Sequence, residues 1–416
     1  MINATTHIPT KAGVHADLSS TTILIVSLYY WPEPAGSAPP VQQMAECLAQ
    51  LGVKVSVLTA RPAYPEMRVY ANYRDNSRDQ EEHQAVAITR IPVASYQPGG
   101  GLMTRLNTEL NFAVRAWWKL LRMPRPACLV LVSPSILTVA AGVLGSPRSA
   151  RRIAIIHDIQ SGLAKSLKMT HLPGITTLMG WFERHTLNRM QRIVTLSQAM
   201  ADAILSLGVT PPISIIPPTV DDRLIRPLPE RPGVFTLLYS GNIGRKQGLA
   251  QLVDLAERLR HRQLDVAIII RGDGNYRDEL QQQVMNRGLG NIRLEPLRPA
   301  AQLSEGLADG HIHLVPQNPV GAAFAVPSKI YSIMAAGRPF ICTADAGSSL
   351  DTLREASDAF VICPPNQPDR FADTLECLIN DPNERSRLGR NGRAYVEQHA
   401  GKSACSRAYQ AVLFDY

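Results

Sequence analysis

The sequence predicts an α/β protein of two doubly wound, Rossmann-like domains, each built on a largely parallel sheet. Two observations carry this. Short apolar, β-branched runs alternate with helix-forming segments along the chain, and the alternation restarts after a stretch rich in proline and charge. Purely parallel strands covered on both faces read as continuous apolar runs, which is what "CLVLVS" (128–133) and "VAIIIR" (266–271) show.

The first half opens on the strand "TTILIVSLYY" (21–30), a Pro/Gly loop "WPEPAGSAPP" and the helix "VQQMAECLAQLG". Strands follow at "VKVSVLTA" (53–60), "AVAITRIPV" (85–93), "CLVLVS" and "RRIAIIHD" (151–158). The helix "LMGWFERHTLNRM" leads to the strand "QRIVTLS", the helix "QAMADAILSLG" and the strand "PISIIPP". Residues 217–234, "PPTVDDRLIRPLPERPGV", read as an interdomain linker.

The second half repeats the grammar. The strand "FTLLYS" runs through the loop "GNIGRKQG" into the helix "LAQLVDLAERLRHR", and "VAIIIRGDG", "YRDELQQQVMNRG", "IRLEPL", "AAQLSEGLADG" and "IHLVPQ" continue the alternation. Beyond "VPSKIYSIMAAGRP" lie "PFICTAD", "AFVICPP" and the terminal helices. The expected division is a disordered polar tail at 1–20, a first domain over 21–216, the linker, and a second domain over 235–401. The terminal helix 402–416 returns to the first domain. Two such domains leave a cleft lined by the C-terminal ends of their strands, where ligands bind in doubly wound folds.

Composition narrows the function. At 416 residues and 45% hydrophobic content the chain can bury two substantial cores. The net charge of +8 favours anionic partners such as nucleotide phosphates or an anionic membrane surface. Nothing beyond that charge speaks for nucleic acid, and no nucleic-acid partner is expected. Six cysteines are scattered without C-x-x-C spacing, which suits reduced thiols in a cytoplasmic protein. Tail residues 1–20 lack the apolar core of a secretory signal. No run reaches the ~18 apolar residues of a membrane-spanning helix. The segment 101–126, with Trp117 and Trp118 among leucines and arginines, predicts peripheral contact with an anionic membrane, placing the protein at its inner face.

Three motifs carry chemistry. In "YSGNIGRKQGL", Gly241, Asn242 and Gly244 follow a strand and precede a helix, so backbone N–H groups can approach a phosphate. Arg245 and Lys246 add positive charge suited to a diphosphate. The glycine spacing is neither a dinucleotide fingerprint nor a Walker A loop, which argues against an oxidoreductase or P-loop enzyme. In "IIIRGDG", Gly272, Asp273 and Gly274 end a strand, and in "VPSKIY", Pro327, Ser328 and Lys329 open a helix facing the same edge. His157 and Asp158 end a first-half strand. His311 and His313 alternate on a strand without a third ligand at metal-binding spacing, so no metal site is expected.

Taken in order, these motifs resemble the GT-B glycosyltransferases of family 4, in the bacterial exopolysaccharide and O-antigen branch that includes colanic-acid-type fucosyltransferases. The residues that carry the resemblance are "ILIVSLYYWPEPAGSAPPVQQMAECLAQLGVKVSVLTARPAYP", "HDIQ", "YSGNIGRKQGLAQLVDLAERL", "RGDG", "LEPLRPAAQLSEGLADGHIHLVPQ" and "VPSKIYSIMAAGRPFI". The resemblance implies metal-independent transfer, with retained anomeric configuration, from a nucleotide-diphosphate sugar to a glycan or polyprenyl-diphosphate-linked acceptor, with no cofactor. It implies that Lys246 and Arg245 stabilise the leaving diphosphate. Gly272–Gly274, Glu295 and Leu297 would border the nucleoside, Pro327–Lys329 would meet phosphate and sugar, and Gly36, Ser37, His157 and Asp158 would face the acceptor. Two departures stand out: Phe324 and Ser332 occupy the positions of two glutamates usual in relatives, and Asn242 replaces an arginine ahead of the loop lysine. The alternatives are a sugar-nucleotide 2-epimerase, which shares the architecture, and a non-catalytic glycan- or nucleotide-sugar-binding protein.

Overall fold

The computed structural model describes residues 21–34, 36–64, 68–93, 102–133, 135–147, 149–157, 173–317 and 326–414. The expected tail at 1–20, Asp158 and Phe324 lie outside these residues, and Lys246 is described by its backbone alone. The chain divides into two compact units, Met1–Pro217 with Cys405–Tyr416, and Pro218–Ala404.

The first unit carries β1 (Thr22–Val26), β2 (Lys54–Ala60), β3 (Gln80–His83), β4 (Val86–Ile91), β5 (Cys128–Val132), β6 (Arg151–Ile156), β7 (Arg192–Thr195) and β8 (Ile213–Ile215). They form one sheet in the order β3-β4-β2-β1-β5-β6-β7-β8. Every pairing is parallel except β3 with β4. Helices α1 (Ala38–Gln50), α2 (Leu102–Leu120), α3 (Ile136–Gly145), α4 (Pro173–Leu187) and α5 (Gln198–Ser206) cover its faces. One face buries Ile23, Ile25 and Val57 under Val41, Met44 and Leu48 of α1. Tyr409, Val412 and Leu413 of the terminal helix α13 (Lys402–Phe414) pack on this same face. The other buries Leu24, Leu129 and Leu131 under Phe112 and Ala116 of α2 and Val139 of α3.

The second unit holds β9 (Phe235–Ser240), β10 (Val266–Arg271), β11 (Ile292–Glu295), β12 (Ile312–Val315), β13 (Phe340–Thr343) and β14 (Val361–Cys363), all parallel, in the order β11-β10-β9-β12-β13-β14. Around it lie α6 (Ala250–His261), α7 (Arg277–Asn286), α8 (Leu303–Ala308), α9 (Lys329–Ala335), α10 (Ser349–Ser357), α11 (Pro368–Asn380) and α12 (Pro382–Tyr395). From β9 the chain builds outward to β10 and β11, then returns to the other side of β9 with β12. The order therefore reverses between β9 and β12, and a crevice opens beyond the ends of adjacent strands at such a reversal.

The proline-rich stretch after Pro217 is laid along the second unit. Val220 and Ile225 join a core with Ile330, Met334 and Phe340. The Arg393 guanidinium donates to the carbonyls of Ile225 and Asp222 at 2.8 and 3.0 Å. Two apolar side chains and these guanidinium bonds together dock a segment whose composition alone reads as an interdomain linker.

Candidate functional site

The loop of Gly241–Gly248 leaves β9 at the reversal point of the second sheet. Gly241 and Gly272 adopt φ of +146° and +155°, values that disfavour any side chain. They do so because two loops run backbone against backbone: Gly241 N donates to Arg271 O at 2.9 Å and Ile243 N to Asp273 O at 2.8 Å. A Cβ on Gly272 would overlap the Gly241 carbonyl oxygen. On Gly274 it would stand 2.6 Å from Asn242 Oδ1. The glycines thus let the ends of β9 and β10 close together. Asp273 serves its own loop, its Oδ1 accepting from Gly274 N at 2.8 Å.

Beyond Gly244, residues Arg245–Gln247 form one turn of 3-10 helix ended by Gly248 at φ +66°. Lys246 lies on this turn, four residues before the start of α6. A Cβ on Gly248 would stand 2.9 Å from the carbonyl of Gln317, at the end of β12. Gln251 Nε2 donates to the same carbonyl at 3.0 Å. The phosphate-loop candidate is thereby tied to β12 as well as β10. The Arg245 guanidinium turns toward α7, pairing with Glu279 at 2.6 Å and lying 5.4 Å over the Tyr276 ring.

The start of α9 completes the cluster. Ser328 stands at its N-cap, exposed, without a side-chain capping bond. Lys329 stretches its chain along Gly241, its Cδ 3.7 Å from where a Cβ would be, and sets its amine 3.8 Å from the centroid of the buried Tyr239 ring. Tyr239 is fixed by its hydroxyl, which donates to Asn242 O at 2.6 Å. Burial brings the Lys329 pKa down to about 7. No carboxylate pairs with this amine among the described residues.

Glu295, at the end of β11, accepts from Arg271 Nη2 and Arg293 Nε, both at 2.9 Å. Burial alone would raise its carboxyl, but the two guanidiniums outweigh that and hold it below the usual range. Its carbonyl accepts from Gly272 N at 2.9 Å. Leu297 lies exposed beyond it. Arg271, a strand residue that the sequence reading passed over, is buried and bridges Glu295, Asp309 and the Gly306 carbonyl, each within 2.9 Å. The two strand histidines are structural. His311 Nδ1 accepts from Thr236 N, and the fully buried His313 contacts Leu307 O at 2.9 Å. Among the described residues no three metal-ligating side chains gather.

In the first unit the structure places Gly36, at φ +71°, and Ser37 ahead of α1. The Ser37 hydroxyl is buried without a hydrogen-bond partner. His157 follows β6, half-buried, its pKa lowered to about 4 by burial. The sequence reading missed Glu33. Its buried carboxylate accepts from the N–H groups of Tyr30, Ala63 and Tyr64 at 2.9–3.1 Å, joining the loop after β1 to the loop after β2. Burial outweighs those bonds and raises its pKa.

The chain matches the Glycosyl transferase 4-like domain over residues 35–219 and the Glycosyl transferases group 1 family over residues 220–395. It is 31% identical over 364 residues to the putative colanic acid biosynthesis glycosyl transferase WcaI of Escherichia coli K12, covering 82% of this chain and 88% of that one. The chain belongs to the GT-B glycosyltransferases of family 4.

Among solved structures, the fold is similar to a sucrose-phosphate synthase from Thermosynechococcus elongatus (TM-score 0.74, 17% identity, 94% of this chain and 98% of that one). It is also similar to Anabaena HepE in complex with UDP-glucose (TM-score 0.67, 15% identity, 95% and 100%). The family models and the similarity to the colanic acid relative make the chain a glycosyltransferase of polysaccharide biosynthesis. Ser332 sits half-buried on α9, one turn beyond Lys329. Among the described residues no helix is long and apolar enough to cross a membrane.

Proposed function

We propose that this glycosyltransferase moves a sugar, with retention and without a metal ion, from a nucleotide-diphosphate sugar to a polyprenyl-diphosphate-linked glycan at an anionic membrane surface. The observation that carries the reading is the Lys329 amine, set beside the Gly241 loop with no carboxylate partner among the described residues. A diphosphate there would supply the missing charge. Gly241, Asn242 and Gly244 would offer backbone to the phosphates, and Lys246 and Arg245 would stabilise the leaving group. Gly272–Gly274, Glu295 and Leu297 would border the nucleoside. Pro327, Ser328 and Lys329 would meet phosphate and sugar, and Gly36, Ser37, His157 and Asp158 the acceptor. Since the similarly folded HepE binds UDP-glucose, UDP is the first nucleotide to test.

In the proposed step the bond between the anomeric carbon and the diphosphate oxygen breaks with its electron pair leaving on the diphosphate. The acceptor hydroxyl oxygen bonds to that carbon on the same face, and its proton passes to the departing phosphate. Charge grows on the phosphate as the bond breaks, so fixed cations bind the transition state more tightly than the ground state.

The test supplies a panel of nucleotide sugars with a lipid-diphosphate acceptor and follows release of nucleoside diphosphate. Lys246→Ala is expected to lower turnover by about 10²-fold or more, with the melting temperature unchanged. Wild-type turnover in that variant would remove Lys246 from the mechanism. Nucleotide-sugar binding without release across the panel would make the chain a binding protein.

A further inference from the structure

Helix α2 buries Phe112, Ala116 and Leu120 and turns a second apolar stripe outward. Leu106, Leu110, Val114 and Trp118 recur at four-residue spacing, and Leu121 falls within the same arc; each is 41–54% exposed. This stripe does not end at the helix. The C-terminal turns of α2 and α3 touch, since a Cβ on Gly145 would stand 2.9 Å from Leu120 Cβ and 3.3 Å from Trp117 O. Helix α3 also packs on α4, and all three cover the same face of the first sheet. Helix α3 carries no charged side chain, and its Leu144 is 72% exposed. On α4, Leu178 and Trp181 are 64% and 57% exposed. Three adjacent helices thus present large apolar side chains where a soluble surface would be polar.

The charge around them has one sign. Arg115, Arg122 and Arg125 flank the stripe on α2 and just after it, and Arg184, His185 and Arg189 flank α4. The Arg122 guanidinium lies 3.8 Å over the Trp118 ring, a pairing suited to an interfacial layer. The only acids on α2 and α4, Glu109 and Glu183, are buried at 2% and 4% exposure. No exposed carboxylate stands on the described parts of the three helices.

We infer that α2, α3 and α4 together form a platform that inserts its apolar side chains into the surface of a bilayer rich in anionic lipid. The inference rests on the proposed lipid-linked acceptor and extends the contact from segment 101–126 to two further helices. Charge selects the occupant. A second copy of the chain would set these arginines against their own counterparts. Nucleic acid would leave Leu110, Leu144 and Leu178 facing phosphates. Anionic headgroups over acyl chains satisfy both the basic rim and the apolar centre.

The test uses the full chain with vesicles of phosphatidylcholine alone and of phosphatidylcholine mixed with phosphatidylglycerol, read by co-sedimentation and tryptophan emission. Wild type is expected to bind the mixed vesicles with a blue-shifted emission. Arg115→Glu/Arg122→Glu should lose on the order of five-fold in affinity per residue. Trp181→Ala/Leu178→Ser should weaken binding several-fold although both residues lie outside α2. Nucleotide-diphosphate binding should be unchanged in both variants, which shows that they fold. Absent or charge-independent vesicle binding by a wild type that binds nucleotide overturns the platform and leaves the transferase standing. So does a dimer in light scattering that Trp181→Ala/Leu178→Ser dissociates. Vesicle binding by a chain that takes no nucleotide would instead count against the donor site alone.

Discussion

Replacing Lys329 with Met should make the second unit more stable and the enzyme nearly inactive. A lysine held at about 7, against an ordinary value of 10.5, penalises the folded state at neutral pH. Taken in full, that difference amounts to roughly 5 kcal/mol. The residue is only half-buried, so screening cuts the working figure to about 1–3 kcal/mol. The sign follows from proton binding. Between pH 7 and 10.5 the unfolded chain holds a proton that the folded chain lacks, so wild-type stability rises with pH across that window. Methionine keeps most of the unbranched apolar stem beside Gly241 and Tyr239 and has nothing to titrate. The advantage of Lys329→Met in denaturant unfolding should therefore be largest below pH 7 and vanish toward pH 10.5.

The same amine should recover its proton when a diphosphate arrives. Calorimetry of nucleoside diphosphate binding at pH 8, in buffers of different ionisation enthalpy, should show proton uptake in wild type and none in Lys329→Met. Affinity should fall about 10- to 100-fold with the loss of a charge-assisted hydrogen bond. A variant no more stable than wild type at pH 7, binding nucleotide normally, would refute the assignment of Lys329 as an anion-seeking group.

Two further outcomes follow from the geometry. Gly272→Ala should cost about 3 kcal/mol or more and abolish nucleotide binding, because its Cβ overlaps the Gly241 carbonyl. Gly36→Ala, at φ +71° with open space around it, should cost only about 1–2 kcal/mol; equal losses at the two sites would show that strain and not loop contact decides both. His313, fully buried and lowered to about 4 from 6.5, is neutral when folded but protonated when unfolded between those values. Stability is thus lost as pH falls from 6.5 to 4, by up to about 3 kcal/mol. His313→Gln should flatten that part of the stability–pH curve, and an unchanged slope would show the proton is taken up elsewhere.

What the sequence made legible was local. Glycines after an apolar strand, and a lysine opening a helix, can be read within a dozen residues, and the structure brings Gly241, Gly272 and Lys329 together at the reversal of the second sheet. Arg271 was not legible, because its partners Glu295, Gly306 and Asp309 lie 24 to 38 residues away and nothing in "IIIRGDG" announces that the side chain turns inward. Glu33 escaped for the same reason, its partners Ala63 and Tyr64 sitting on a different loop. The 217–234 stretch was read from its prolines, whereas Val220, Ile225 and the guanidiniums of Arg338 and Arg393 hold it against the second unit. Likewise the apolar face of α4 drew no notice in sequence, since Leu178 and Trp181 gain meaning only beside α3.

The carboxylates near the Gly241 loop bear on how a transfer proceeds there. Glu279 is paired with Arg245, Glu295 with Arg271 and Arg293, and Asp309 with Arg231, Arg271 and Arg298. Asp273 is spent on its own loop. A general base works best with its pKa near the operating pH, and Glu295 is moved the other way. Ser332 adds only a neutral hydroxyl one turn beyond Lys329. Each of these described acids is thus committed to a cation or to the backbone, while the Lys329 amine has no carboxylate partner among the described residues. A site so arranged favours a substrate that brings its own negative charge, and a departing diphosphate could take an acceptor's proton that none of these paired acids is free to accept. Exchanging Ser332 for Glu, one turn beyond Lys329 on α9, is expected to alter which donor sugar is accepted, and a donor panel unchanged by Ser332→Glu would show that recognition lies elsewhere.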